Sequence, residues 1–139
     1  MLCGGGRRRA PPASPVSGLV RFVQVADVER SVAFYRLLGL ELRDTYEHDD
    51  QFVWASMARE SAAVMLARTE APIDPQAQGV LFYLYARDLV GLRDHLVVHG
   101  VTAGEIVDGS PGPKREMRIT DPDANCLMVA QIDNQTIIR

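Results

Sequence analysis

Phe22-Val-Gln-Val-Ala-Asp27-Val28 is answered by Tyr83-Leu-Tyr-Ala-Arg-Asp88-Leu89, and the offset of 61 positions between Asp27 and Asp88 recurs between Gly39 and Gly100. Each copy reads as an apolar strand, an Asp, a helical stretch, a Gly and a second strand. A later echo, Val64-Met-Leu-Ala67 against Leu127-Met-Val-Ala130, has an offset of 63. Two copies of one unit in 139 residues predict a duplicated α+β fold. The expected architecture is two βαβββ modules forming an incomplete, cupped β-barrel with the helices on its outer face.

Local chemistry supports each unit. Asp27 is placed to cap a helix, and Glu29 falls in its first turn, where the helix dipole favours an acid. Val28, Val32, Tyr35 and Leu38 follow at helical spacing, and Gly39 ends the run. Strands are expected at 19–25, 40–46, 52–57 and 62–67, with turns at 47–50 and 59–60. Residues 68–78, with Pro72 and Pro75, read as a linker. The second copy gives a strand at 80–86, cap Asp88, a helix at 89–99, and stretches at 102–107, 115–120 and 126–132. Module 1 is assigned to about 18–69, module 2 to about 79–132, and the whole domain to 18–133.

Composition narrows the class. Residues 1–17 carry Gly4-Gly-Gly6, Arg7-Arg-Arg9 and three prolines, which read as a disordered tail; 134–139 read as a C-terminal extension. No apolar run of about 7–15 residues follows those arginines, so they do not make a secretory signal. Without them, 12 basic residues face 18 acidic ones, a net −6. An acidic body argues against nucleic acid as the main partner and favours neutral or cationic ligands. No apolar run reaches the roughly 20 residues a bilayer requires, so no membrane partner is expected. Two cysteines, Cys3 and Cys126, fit a reducing cytoplasm better than a disulfide framework. Cys126 in an apolar strand reads as a small core or cavity residue.

Strand alternation assigns the faces. In the first strand Val23 and Val25 form one face; Val20, Phe22 and Gln24 form the other. In the fifth, Phe82, Leu84 and Ala86 oppose Leu81, Tyr83 and Tyr85. The purely apolar sets belong under the helices. The sets with Gln and Tyr face either a lined cavity or water.

Asp27-Val-Glu-Arg-Ser-Val-Ala-Phe-Tyr35 with Leu37-Leu-Gly-Leu40 resembles the first-helix signature of the vicinal oxygen chelate superfamily. That group includes glyoxalase I, extradiol dioxygenases, and bleomycin and fosfomycin resistance proteins. Arg115-Glu116 leading to Asp121-Pro-Asp-Ala-Asn-Cys-Leu-Met128 is similar to its closing signature. The resemblance spans residues 18–132. One departure is Ala124, where the family usually has Gly; if the turn needs positive φ, strain or a different turn type is expected.

The resemblance implies four metal-ligand positions in the enzymes of the family, two per module. They fall here on Val20, Met65, Leu81 and Met128. None is a ligand for a hard divalent ion, which needs imidazole, carboxylate or thiolate. No metal and no cofactor is therefore expected, nor the family's metal-dependent isomerisation, ring cleavage or epoxide opening. The pair His95 and His99 reads as a solvated helix end, and His48-Asp49-Asp50 as a polar turn.

What remains is an apolar, partly aromatic cavity. Its expected lining is Val20, Phe22, Gln24, Met65, Leu81, Tyr83, Tyr85 and Met128, with Ala63, Ala67, Cys126 and Ala130 leaving volume. Phe52 and Trp54 are expected to share a strand face and extend the wall. Arg115 and Glu116 stand beside it. This composition suits a planar ligand held by stacking and desolvation. The expected function is a metal-free protein of the bleomycin-resistance type, a homodimer that sequesters a small aromatic or peptidic molecule. Two alternatives remain open. One is an enzyme using Glu116 and Arg115 as acid/base groups, or a non-standard metal site. The other is a scaffold whose hollow Met65 and Met128 fill.

Overall fold

The computed structural model of the chain describes residues 16–108 and 115–132. All but the last two residues of the expected tail, and the whole expected C-terminal extension, lie outside the described residues. Strand β1 (Arg21–Val25) leads into helix α1 (Val28–Leu37), then β2 (Glu41–His48), β3 (Gln51–Arg59) and β4 (Ala62–Arg68). A 3-10 turn (Pro75–Ala77) precedes β5 (Val80–Ala86), helix α2 (Leu89–Val98), β6 (Glu116–Thr120) and β7 (Cys126–Gln131). The first sheet has the order β1-β4-β3-β2 and the second β5-β7-β6. In both, the strand before the helix pairs in parallel with the last strand of its unit. The fold is α+β with two cupped sheets and no closed barrel.

The strand pairings reproduce the offsets of the sequence. Phe22 lies opposite Met65 and Gln24 opposite Ala67; Tyr83 lies opposite Met128 and Tyr85 opposite Ala130. Adding 61 to the first partner and 63 to the second turns each early pair into its late counterpart. The duplication is thus structural, residue for residue.

Both helices begin and end by the same devices. Asp27 Oδ1 accepts from Arg30 N at 3.1 Å, and Asp88 Oδ1 accepts from Gly91 N at 3.0 Å, each satisfying an orphan amide. At the C-termini, Gly39 N donates to Arg36 O and Leu40 N to Tyr35 O; Gly100 N donates to Val97 O and Val101 N to Leu96 O. Gly39 has φ +96° and Gly100 +83°, the left-handed conformation this double bond pattern requires.

Val23, Val25, Val64 and Leu66 in the first unit, and Ile119, Leu127 and Val129 in the second, point inward with Val28, Tyr35, Leu89 and Leu96 of the helices. They form one continuous core across both units. The expected inward face of β1 is therefore the observed one.

Three expectations change. β1 begins at Arg21, not Leu19, leaving Val20 outside the ladder. The hairpin after β2 is shorter than expected: Asp49 and Asp50 turn the chain with φ +53° and +63°, the two-residue form that suits strand twist. The stretch at 102–107 pairs only through isolated bridges, Ala103 with Ile119 and Val107 with Glu116. Gly104 lies between those bridges, where a residue without side chain holds a strand weakly.

Candidate functional site

Each sheet turns the face opposite its helix outward as a shallow cup. Register gives the rows across it. In the first cup, Phe22, Met65 and Ser56 form one row, and Gln24, Ala67 and Trp54 the next. In the second, Tyr83, Met128 and Arg118 form one row, and Tyr85, Ala130 and Glu116 the next. Aromatic side chains stand open on these faces: Phe22 is 53% exposed, and Tyr83 and Tyr85 are each 46% exposed.

The second cup carries the polar chemistry. Tyr83 and Tyr85 stack with centroids 6.4 Å apart and planes 23° apart. The Tyr83 hydroxyl reaches over β7 and donates to Glu116 Oε1 at 3.4 Å. Desolvation and then the adjacent Glu116 carboxylate raise the Tyr83 pKa above that of a free phenol, which keeps it a donor. Beneath that bridge Met128 is only 6% exposed and Ala130 is fully buried. Arg118 reaches Cys126 Sγ at 3.7 Å from the same face. The arrangement offers flat apolar contact, one carboxylate and one guanidinium.

The anticipated lining residues are divided between places. Tyr83, Tyr85, Met128 and Glu116 share the second cup; Phe22, Gln24, Met65 and Trp54 share the first. Phe52 does not share a face with Trp54. The β2–β3 register slips by one between Tyr46–Trp54 and Glu47–Phe52, so Val53 is an extra residue and Phe52 packs against the core. Leu81 stands at a second slip, between Val80 and Phe82, and also packs against the core. Val20 is 43% exposed and precedes β1. Arg115 is exposed next to Glu116, and Glu116 accepts the hydrogen bond from Tyr83. Sequence reasoning missed Arg118, although its alternation with Glu116 along β6 was the signal for it.

Two hollows lie where the units meet. One, about 600 Å³, runs under the linker between Phe22, Gln24, Leu81, Pro72 and Asn125. The other, about 400 Å³, lies between β4 and β5 and includes Tyr35, Val64, Phe82 and Leu84 on its walls. Nearby, the buried turn between β6 and β7 joins the units. Asp123 Oδ1 meets Arg30 Nη2 at 3.0 Å. Asp121 Oδ1 accepts from Asp123 N at 3.0 Å and Asn125 N at 2.8 Å. Burial raises the Asp121 pKa despite these bonds.

The metal positions implied by the family resemblance do not fit a metal. Val20 and Leu81 have no donor atom, and Met65 and Met128 offer one thioether in each cup. Among the described residues no three His, Cys, Asp or Glu side chains converge. His95 and His99 contact each other on the exposed end of α2, with His99 Nδ1 2.8 Å from His95 O.

Comparison with known proteins agrees with this geometry. No curated protein matches the sequence. Among solved structures, the antibiotic-binding protein TnmS3 from Streptomyces sp. CB03234 has 19% identity and a TM-score of 0.64, over 85% of this chain and 98% of that one. TioX from Micromonospora sp. ML1 has 16% identity and a TM-score of 0.69, over 84% and 98%. The bleomycin-binding protein of Streptomyces verticillus, solved with copper(II)-bleomycin, has 21% identity and a TM-score of 0.64, over 86% and 99%. At these identities the likeness is one of fold. No described helix is long and apolar enough to cross a membrane. A sequence model of the Glyoxalase/Bleomycin resistance protein/Dioxygenase superfamily matches residues 18–129, most of the chain, and the protein belongs to that superfamily.

Proposed function

We propose that the protein is a metal-free binder of the bleomycin-resistance type, sequestering a small aromatic or peptidic compound on its cup faces. One observation carries this reading: the Tyr83–Tyr85 stack stands open above an apolar floor, with Glu116 and Arg118 at its edge. Stacking supplies affinity, and the two charged groups fix orientation. Sequestration requires no nucleophile or metal, which suits the ligand-poor positions Val20, Met65, Leu81 and Met128. The resemblance in fold to antibiotic-binding proteins supports the ligand class.

Each cup is open on one side within a single chain, so a second copy is proposed to close it in a homodimer. Open aromatics at 46–53% exposure support that arrangement. The acid/base alternative has less support, because Glu116, its best candidate, is already bonded by Tyr83.

Titration of the protein with bleomycin and a panel of aromatic antibiotics is the test. A stoichiometric ligand is expected, and Tyr83→Ala should weaken it by about 1–2 kcal/mol. An affinity untouched by that substitution removes the reading.

A further inference from the structure

The hollow between β4 and β5 differs from both cups. Its interior is built from the helix-facing sides of the strands, with Tyr35, Leu40, Val64, Phe82 and Leu84. Only Tyr83 and Tyr85 are shared with the second cup. At about 400 Å³ it falls in the range of small-molecule sites.

Its charge is opposite to that of the body. Three guanidiniums line it, from Arg21, Arg59 and Arg87, against one carboxylate, Glu60. Glu60 is matched by Arg87 at 3.4 Å. Arg21 and Arg59 have no hydrogen-bond or carboxylate partner among the described residues. Arg21 lies 6.0 Å from the Phe82 ring centroid, which orients the guanidinium over an apolar wall. Its charge also acts on Tyr35, partly opposing the rise that burial and the Asp121 and Asp123 carboxylates cause in that phenol's pKa. Tyr35 is 1% exposed, and its hydroxyl has no hydrogen-bond partner among the described residues. In a body of net −6, two cations at the edge of one greasy hollow are thus unmatched among the described residues.

We propose that this hollow is a second binding site, for an amphipathic carboxylate. The apolar chain or ring lies against Val64, Phe82 and Leu84, and the carboxylate is taken by Arg21 and Arg59. Guanidinium is the group best shaped for a planar carboxylate, and low local polarity strengthens the pairing. The site stands apart from the cup reading, since a ligand here requires neither Trp54, Met65, Met128 nor Glu116.

The test is titration of the full chain with octanoate, octan-1-ol and octylammonium, followed by methyl NMR and calorimetry. Octanoate is expected to bind saturably at one per chain and to shift the methyls of Leu40, Val64, Leu84 and Ile132. Octan-1-ol and octylammonium should bind at least about ten-fold more weakly, and added salt should weaken octanoate alone. Arg59→Gln should reduce octanoate affinity about 5–20-fold and leave octan-1-ol unchanged. Arg21→Gln should do the same, and the exposed Arg59 variant keeps the test valid if Arg21→Gln folds poorly. Equal binding of octan-1-ol and octanoate overturns the proposal. So do shifts confined to the Met65 and Met128 methyls, which would place the molecule in the cups instead.

Discussion

In the first cup the row Gln24, Ala67, Trp54 crosses the sheet; in the second the same row reads Tyr85, Ala130, Glu116. The neighbouring row changes from Phe22, Met65, Ser56 to Tyr83, Met128, Arg118. Each cup keeps a thioether at its centre and an aromatic on its parallel edge strand. The strand on the far side of that centre, β3 in the first sheet and β6 in the second, exchanges Trp54 and Ser56 for a carboxylate and a guanidinium. Met65 is half-buried and accessible, whereas Met128 is covered by the bond from Tyr83 to Glu116. One backbone frame thus supports a wall that offers only contact and a wall that also offers charge. The last turns differ too: two residues at 60–61 in the first unit, and five at 121–125 in the second, of which Asp121, Asp123 and Asn125 are buried.

The two units are halves of one folded body, joined through a single core. Leu66 and Leu127 are both fully buried, in β4 and β7. Leu66→Ala and Leu127→Ala should each cost about 2–5 kcal/mol, through lost transfer energy and residual cavity. Because one core spans both units, each variant should lower a single thermal transition. Two separated transitions, with each substitution moving only its own, would show the units to be independent.

The two helices differ in how their first turns are capped. α1 relies on Asp27 for its side-chain cap. α2 has Asp88 and a second acceptor, Gln131 Oε1, which takes Leu89 N at 2.9 Å from β7. Asp27→Ala should cost about 1 kcal/mol, within the range of N-cap removals. Asp88→Ala should cost less, since one orphan amide stays satisfied. Chemical denaturation of the two variants ranks them, and a larger loss for Asp88→Ala would show that Gln131 does not share the load.

The parts of the fold legible in the sequence were those set by short-range chemistry. Asp27 and Asp88 as caps, Gly39 and Gly100 as stops, and the inward faces of β1 and β5 follow from residue type and spacing alone. The cup rows followed from alternation until a strand slipped. The extra residues Val53 and Leu81 are apolar residues among apolar residues, and nothing in their neighbours marks a bulge. Phe52 therefore lies on the side opposite to the one alternation predicts, and Leu81, displaced at its slip, packs against the core while still edging the hollow under the linker with Phe22 and Gln24. The cationic hollow was illegible for a different reason. Arg21, Arg59 and Arg87 are 38 and 28 residues apart in sequence and meet only where the two units abut. Net charge, read over the whole chain, pointed the other way.

The smallest expected effect concerns a position where the family usually has glycine and this chain has Ala124. Ala124 has φ +69°, so the turn keeps the left-handed conformation and carries the strain of a Cβ there. Gly100 has a similar φ of +83°, and a Cβ added to it would meet nothing within 4 Å. Gly100 therefore isolates the backbone effect from packing. Gly100→Ala should destabilise by about 1 kcal/mol, the cost of forcing an L-residue into that region. Ala124→Gly should move the other way by about 0.5–1 kcal/mol, because relief of strain exceeds the extra chain entropy that glycine loses on folding. Paired melting curves of the two variants decide it: shifts of opposite sign are expected. A loss of stability in Ala124→Gly would mean that the methyl group packs within the buried turn of Asp121, Asp123 and Asn125 more favourably than its backbone angle penalises it.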